Sequence, residues 1–193
     1  MNDFELIRQQ LHRLPPLADL SIALERAPQA AVSLILRDHE GWAELLIIRR
    51  AENPRDHWSG HLALPGGRVD ATDADLMATA AREADEEVGM NLLDGGSFIG
   101  RLPTISPLNP RLPRIEITPF VALAPPQFSL RLSHEVDAAF WLPVGELKRQ
   151  GRSSFFTLWL DGTERKWPAY PSERGPIWGI TERILTEFLT LLD

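Results

Sequence analysis

The spacing of hydrophobic residues predicts a helix followed by a pair of strands in the first part of the chain. Residues 4–14 are hydrophobic at helical intervals, and Pro15-Pro16 cannot continue a helix. Residues 31–36 form an apolar run typical of a strand, and residues 42–48 form a second one. Because residues 38–41 between them have the composition of a tight turn, the two runs predict a β-hairpin.

The middle of the chain predicts a short strand, a glycine pair and a second helix. A strand over residues 60–64 leads into Pro65-Gly66-Gly67, and helical spacing follows from about Ala74 to Val88. Asp73 is placed to cap the start of this helix, and Gly89 stands where a left-handed residue commonly ends one. Later apolar runs predict three strands, over residues 98–102, 115–124 and 138–142. Helical spacing over residues 177–192 predicts a final helix.

The order of these elements predicts an α+β domain in which a mixed sheet lies between helices. A chain of 193 residues fits one domain, so we expect a single domain over residues 1–193, with residues 1–24 as an N-terminal helical extension. No apolar run approaches the roughly 20 residues that span a bilayer, and the N-terminus does not resemble a signal peptide. We therefore expect no membrane association and a cytoplasmic location.

The charged residues are distributed unevenly along the chain. The net charge is −7, and residues 70–94 contain eight acidic side chains and one basic side chain, which together account for all of it. An acidic balance disfavours nucleic acid as a partner, while a local cluster of carboxylates indicates either a solvated surface or a cation site. The absence of Cys excludes disulfides, cysteine-based zinc sites and a thiol nucleophile.

A helical projection of this acidic segment favours a cation site. At about 100° per residue, Glu83, Glu86 and Glu87 share one edge of the predicted helix, and Asp85 points elsewhere. The expected buried stripe, next to these carboxylates, consists of Met77, Ala81, Ala84 and Val88. Since crowded carboxylates repel one another, a divalent cation would stabilise them, and Mg²⁺ prefers such oxygen ligands together with substrate phosphate.

Two neighbouring features extend this interpretation. Arg82 can pair with Glu86 four residues later and orient it. Gly66-Gly67 has no side chains, so its backbone can approach a phosphate closely. A solvated acidic helix is the simpler alternative, but a strand, two glycines, a helix and a terminal glycine in this order favour a metal and phosphate site.

The segment from about residue 67 to residue 90 resembles a Nudix box. The second half of that pattern, Arg-Glu-apolar-x-Glu-Glu-x-Gly-apolar, matches residues 82–90 throughout. The first half is one residue longer than the common box, so its first acidic position falls at Ala74 or, with an insertion, at Asp73, which we favour. The resemblance implies a Nudix-type fold, with a mixed β-sheet between α-helices, and a pyrophosphohydrolase.

The longer box is similar to that of the coenzyme A pyrophosphatase branch of the family. It contains Gly-Gly-Arg-Val-Asp-x-x-Asp over residues 66–73, and residues 46–50, 58–65 and 177–181 also resemble segments of that branch. The resemblance implies hydrolysis of coenzyme A or its thioesters to 3′,5′-ADP and (acyl-)4′-phosphopantetheine. Alternatives are a pyrophosphatase for ADP-ribose, nucleotide sugars or oxidised nucleotides, and a module that senses a nucleotide without cleaving it.

The resemblance also implies roles for particular residues. Mg²⁺ or Mn²⁺ is the expected cofactor, and the substrate is a small nucleotide-type molecule; a homodimer is a possible assembly. The metal ligands and catalytic residues are expected to be Glu83, Glu86 and Glu87, with Arg82 as a further catalytic residue. The expected substrate or phosphate contacts are Gly66, Gly67, Arg68 and Arg50.

Several other side chains are weaker candidates, because each has a simpler explanation as a surface or core residue. Further phosphate contacts could come from Arg49, Arg111 or Arg114. An additional metal ligand or a base could come from Glu116 or Glu135, and a general base could come from His57 or His61. Adenine could stack on Trp58, Trp141 or Tyr170.

Overall fold

The computed structural model describes residues 2–18, 20–22, 28–54, 56, 58–109, 112, 114–160 and 162–193. It contains four α-helices in these ranges, α1 Asp3–Gln10, α2 Leu76–Val88, α3 Val144–Gln150 and α4 Gly179–Leu191. The strands of the larger sheet are β1 Gln29–His39, β2 Trp42–Arg50, β3 Leu62–Ala63, β4 Gly66–Arg68, β5 Ser97–Arg101, β6 Glu116–Leu123 and β7 Val136–Pro143. A smaller sheet contains β8 Ser154–Leu160, β9 Thr163–Tyr170 and β10 Ile177–Trp178.

Strand β1 organises the larger sheet. It pairs in parallel with β6 along most of its length, and on its other edge it pairs antiparallel with β2 and β4. Strands β3 and β7 both pair with β2, and β5 pairs with β6. The sheet is therefore mixed, and the short strand β4 brings the glycine pair directly beside β1.

The two faces of the sheet pack against different helices. Leu34 and Leu36 of β1 pack in a core with residues of α1 and α4, whereas Ile35 between them packs with Ala84 and Val88 of α2. Side chains alternate between the faces of a strand, so a continuous apolar run such as this one must be covered on both sides. The expected α+β fold, with a mixed sheet between helices, is confirmed. Helix α2 packs against the face to which Ile35 points, and it also contacts β4.

The boundaries of two predicted helices differ from expectation. The N-terminal helix ends at Gln10 and continues only as a 3₁₀ turn over Leu11–Arg13. Helix α2 begins at Leu76 because Asp75, rather than Asp73, caps it by accepting a hydrogen bond from the Ala78 backbone N–H at 2.8 Å. The left-handed conformation predicted at the end of α2 is present, with Gly89 at φ 68°.

The smaller sheet was not predicted from the sequence. Strands β8 and β9 pair antiparallel as a hairpin, and β10 adds to β9 through residues 177 and 178. The predicted final helix therefore starts two residues late, at Gly179. In the described part of the chain, no helix is both long enough and apolar enough to cross a membrane.

Candidate active site

The glycine pair lies against the C-terminal half of α2. Gly66 pairs with Val32 of β1, and a β-carbon at Gly66 would come within 2.5 Å of backbone atoms of Ala31 and Val32. A side chain other than that of glycine would also strain the backbone here, because φ at this position is +155°. The Gly66 N–H donates a 2.9 Å hydrogen bond to Oε2 of Glu87, so the backbone of the glycine pair orients one predicted metal ligand.

Glu87 is a buried carboxylate. Its side chain is 3% exposed, and within the described ranges the cation nearest to it is Arg50, with 3.6 Å between Nη1 and Oε1. Burial raises the pKa of Glu87 to about 7, even though the hydrogen bond from Gly66 and the charge of Arg50 oppose this change. The sequence placed the carboxylates at the border of the buried stripe of α2, and the structure shows that Glu87 is part of the buried face.

Glu83 lies directly over the second glycine. A β-carbon at Gly67 would stand 2.5 Å from Cδ of Glu83, which means that this carboxylate occupies the space a side chain would need. The Glu83 side chain is 13% exposed, and burial raises its pKa. The charges of Glu86 and Glu135 raise this pKa further, so Glu135 lies near enough to influence the site.

Arg82 connects the helix to the loop that precedes it. Its Nε and Nη2 donate to the two carboxylate oxygens of Asp73 at 2.9 and 3.0 Å, and Nη2 also donates to the carbonyl of Arg68 at 3.0 Å. Its Nη1 donates to Glu83 at 3.0 Å and to Glu86 at 2.8 Å. One guanidinium therefore links two predicted metal ligands, Glu83 and Glu86, to β4. The predicted pairing of Arg82 with Glu86 is present.

Asp73 has a different role from the helix cap predicted for it. Its side chain is 4% exposed and accepts hydrogen bonds from Arg82, from the Thr79 hydroxyl at 2.8 Å and from the Asp70 N–H at 2.8 Å. The bidentate contact with Arg82 is the main reason that the pKa of Asp73 falls to about 2. The contact with Arg82 therefore favours the alignment that places the first acidic position of the box at Asp73 over the one that places it at Ala74.

Glu86 differs from the other two glutamates because its side chain is 59% exposed and turned towards Arg82. In this conformation, and within the described ranges, no three His, Cys, Asp or Glu side chains are gathered closely enough to bind a metal ion. The structure places Glu83, Glu86 and Glu87 along one edge of α2, as predicted, but two of them are held by the guanidinium of Arg82.

Comparison with known proteins identifies the family. The model of the NUDIX domain matches residues 27–159, which include the glycine pair, all of α2 and all seven strands of the larger sheet. The chain belongs to the Nudix family. The prediction of a Nudix pyrophosphohydrolase, made from residues 82–90, is confirmed.

Individual relatives agree with the family assignment over almost the whole chain. "Uncharacterized Nudix hydrolase NudL" from Shigella flexneri serotype 5b is 31% identical over 189 residues, which cover 97% of this chain and 90% of the relative. The protein of the same name from Cronobacter sakazakii is 33% identical with the same coverage. The crystal structure of a MutT/nudix family protein from Enterococcus faecalis has a TM-score of 0.60 and 18% identity, covering 100% of this chain and 75% of that one, which supports the fold.

The arginine and histidine side chains predicted for the substrate site of this Nudix hydrolase differ in their partners and exposure. Arg50 is close to the site but is already paired with Asp56, since its Nη2 lies 2.9 Å from Oδ2. The Arg68 side chain is exposed beside the glycine pair. Arg49 and His61 line a cleft that also contains Arg50.

The remaining weaker candidates are mostly structural. Trp141 packs against Phe128 at 5.5 Å and has the Arg37 guanidinium 4.2 Å from its ring centroid. Tyr170 is buried, with its hydroxyl 3.1 Å from that of Thr186, so contacts within the fold account for both rings. Glu116 begins β6, opposite Gln29, and Arg114 is exposed just before it. His57 and Arg111 lie outside the described residues.

The Asp73–Arg82 contact predicts how the stability of this Nudix hydrolase depends on pH. The pKa of Asp73 falls from 3.8 to about 2, so its stabilising contribution is complete above about pH 4 and is lost as the pH falls towards 2. Replacing Asp73 by Asn should lower the free energy of unfolding at pH 7 by about 1–3 kcal/mol. Urea denaturation at pH 7, 4 and 3 should then show a weaker acid dependence than in the wild type.

The matched control for this experiment is Asp85→Asn, since Asp85 is an exposed carboxylate on the same helix. This control should keep the wild-type pH profile. If the free energy of unfolding depends on pH in the same way in the wild type and in Asp73→Asn, the assigned role of Asp73 is contradicted.

Proposed function

We propose that this Nudix hydrolase cleaves the diphosphate of coenzyme A or its thioesters, with Mg²⁺ or Mn²⁺ held by Glu83, Glu86 and Glu87. Water adds to one phosphorus of the diphosphate and the bridging P–O bond breaks, which gives 3′,5′-ADP and (acyl-)4′-phosphopantetheine. The contact between Asp73 and Arg82 carries the proposal for this substrate. This contact supports the alignment in which the Nudix box contains one additional residue. That longer box is the form that resembles the coenzyme A branch.

The carboxylates fit a divalent cation in their chemistry. Glu87 and Glu83 are largely removed from water, and Arg50, the cation nearest to Glu87, shares its charge with Asp56. Further positive charge is needed to stabilise these side chains in ionised form, and oxygen ligands of this kind suit Mg²⁺. The bound metal would supply charge neutralisation of the diphosphate, polarisation of a phosphoryl oxygen and a more acidic water.

The residues of the chain hold this site in place. The Gly66 N–H fixes the direction of the Glu87 carboxylate, and the close packing of Glu83 on Gly67 leaves no side chain between the helix and the strand. Arg82 positions Glu83 and Glu86 through its contact with Asp73. Glu83 and Glu87 are therefore positioned before substrate binds, and of the three glutamates Glu86 is the one that has to move when a cation binds.

Glu86 has two competing partners in this proposal. Its salt bridge with Arg82 is largely exposed to solvent, so that pairing contributes little free energy and can be exchanged for a cation. The exposed side chain can therefore turn away from the guanidinium while Glu83 and Glu87, which are packed, stay in position.

A substrate panel tests the proposed function. With Mg²⁺ present, the products of coenzyme A, acetyl-coenzyme A, dephospho-coenzyme A and ADP-ribose are identified by mass. We expect kcat/KM to be at least about tenfold higher for coenzyme A than for ADP-ribose, because charge-assisted contacts to the 3′-phosphate contribute about 1.5–3 kcal/mol. Equal values for coenzyme A and dephospho-coenzyme A, or faster cleavage of ADP-ribose, would favour the nucleotide-sugar alternative.

A further inference from the structure

A cleft of about 440 Å³ adjoins the candidate active site. Arg50 belongs to both, since it lines the cleft and its Nη1 lies 3.6 Å from Glu87. The rest of the lining comes from β2 and the residues just after it, from the residues around β3, from β7 and β8, and from the segment that contains β10. A substrate bound at the glutamates can therefore extend into this cleft.

Adjacent arginines of β2 place positive charge on opposite faces of the sheet. Arg50 reaches Glu87 of α2, on the face that Ile48 shares. Arg49 pairs with Leu62, which packs in the core on the other face, and its Nη2 donates to the carbonyl of Arg174 at 2.5 Å. A negative group bound by Arg49 is consequently separate from a diphosphate held at the glutamates.

Among the described residues, Arg49 and Arg174 both lack an acidic partner. Neither guanidinium lies within 4.0 Å of a carboxylate oxygen in the part of the chain that the structure describes. Arg174 is instead positioned over the ring of Phe140, 5.2 Å from its centroid. Two guanidinium groups with free donors in the lining of one cleft suit a phosphate group, because its oxygens accept several hydrogen bonds and pairs of them match the planar donors of Arg.

Aromatic rings form another wall of the cleft. Phe156 and Trp178 are stacked at 3.9 Å with an interplanar angle of 8°, and His61 lies 4.7 Å from Trp178. Burial lowers the pKa of His61, which favours the uncharged form of this ring. All three rings are only partly buried, which leaves aromatic surface available to a flat ligand.

Two exposed carboxylates, Glu52 and Asp137, also line the cleft. A purely anionic ligand would be repelled by them, and a purely apolar ligand would leave them and the arginines without partners. A nucleoside phosphate suits the whole lining, since its amino and hydroxyl groups can donate to carboxylates, its base can stack, and its phosphate can accept from guanidinium groups.

From this lining we infer that the cleft binds the nucleoside half of the substrate, and that Arg49 and Arg174 bind a second phosphate on its ribose. The inference rests on the proposed function, because it assigns one half of that substrate to this position. The pantetheine half lacks both an aromatic ring and an additional phosphate, so it would leave the rings and guanidinium groups unused. We therefore place the pantetheine half outside the cleft.

Binding of the two reaction products tests this assignment directly. Calorimetry with the full chain and Mg²⁺ compares adenosine 3′,5′-bisphosphate, adenosine 5′-monophosphate and 4′-phosphopantetheine. We expect the wild type to bind the bisphosphate at least about tenfold more tightly than the monophosphate. Arg49→Ala and Arg174→Ala should each reduce this preference to within about threefold and leave the affinity for 4′-phosphopantetheine unchanged.

Arg165→Ala is the matched control, because Arg165 is an exposed arginine of β9 outside the lining of the cleft. It should keep the wild-type preference. If Arg49→Ala does not fold, Arg49→Gln retains a donor and most of the side-chain volume, and a reduced preference is still expected. An unchanged preference in the variants at Arg49 and Arg174, or weaker binding of 4′-phosphopantetheine instead, would overturn the inference.

The two proposals can fail separately. If coenzyme A is not hydrolysed but the preference for the bisphosphate is lost in the arginine variants, the proposed substrate is wrong and the assignment of the cleft stands. If coenzyme A is hydrolysed and the variants discriminate as the wild type does, the proposed function stands and the assignment of the cleft is wrong.

Discussion

Replacing Glu87 by Gln is expected to lower kcat by about 10² or more while the protein remains folded. The amide oxygen of Gln can still accept the hydrogen bond from the Gly66 N–H, so the local geometry is retained. The substitution removes a charge that is almost completely buried, and the free energy of unfolding should therefore be unchanged or higher. Steady-state kinetics, thermal denaturation without metal and calorimetric binding of Mn²⁺ measure the three effects.

Glu86→Gln should also lower kcat by about 10² or more, although its side chain is exposed and contributes little to stability. Asp85→Asn is the control for both variants, because it removes one carboxylate from the same helix at an exposed position outside the site. Turnover near that of the wild type in both glutamate variants would exclude these residues as metal ligands.

The central part of the fold could be predicted because its signals are local. Residues 31–36 and 42–48 are apolar runs separated by turn-forming residues, and they became β1 and β2 with a turn at Glu40-Gly41. The end of α2 was predictable for the same reason, since glycine at the C-terminus of a helix readily adopts the left-handed conformation observed at Gly89.

The smaller sheet was missed although its sequence contains a recognisable signal. Asp161-Gly162 separates two runs that became β8 and β9, and such a dipeptide between strand-forming residues favours a hairpin. The third strand of this sheet could not be predicted. Only two residues, Ile177 and Trp178, form β10, and their helical spacing with later residues favoured an extension of α4.

In the candidate site, the positions of the glutamates followed from helical geometry, but their environments did not. The projection placed Glu83, Glu86 and Glu87 on one edge correctly. It could not show that Arg82 binds Asp73, because that contact depends on how the loop before α2 folds back on the helix. For the same reason, the sequence did not predict that Arg50, a proposed phosphate contact, pairs with Asp56 and lies 3.6 Å from Glu87.

The cleft illustrates the limit of sequence reasoning most clearly. Phe156 and Trp178 are 22 positions apart in the sequence and stack only because β10 joins the hairpin through β9. The Arg49 side chain donates to the carbonyl of Arg174, which lies 125 positions away. No local pattern relates these residues, so their joint surface could be recognised only from the folded chain.

The two glycines of the site should respond differently to substitution by Ala. At Gly66, the new β-carbon would overlap the backbone of β1, which cannot move without disrupting the sheet, and φ is +155°. We therefore expect Gly66→Ala to lose several kcal/mol of stability, as overpacking and backbone strain together would cause. At Gly67, the atoms in the way belong to the end of the Glu83 side chain, which can rotate.

Gly67→Ala should consequently keep most of its stability and lose activity. The β-carbon displaces the Glu83 carboxylate from its position over the strand, and we expect kcat/KM to fall by about 10² or more, comparable to the loss of a metal ligand. Gly145→Ala is the control, because a β-carbon there meets no atom within 4 Å. Kinetics and urea denaturation of the three variants separate the effects. If Gly67→Ala were destabilised as much as Gly66→Ala and kept its kcat/KM, Gly67 would serve the fold alone, and the position of Glu83 over it would have no part in catalysis.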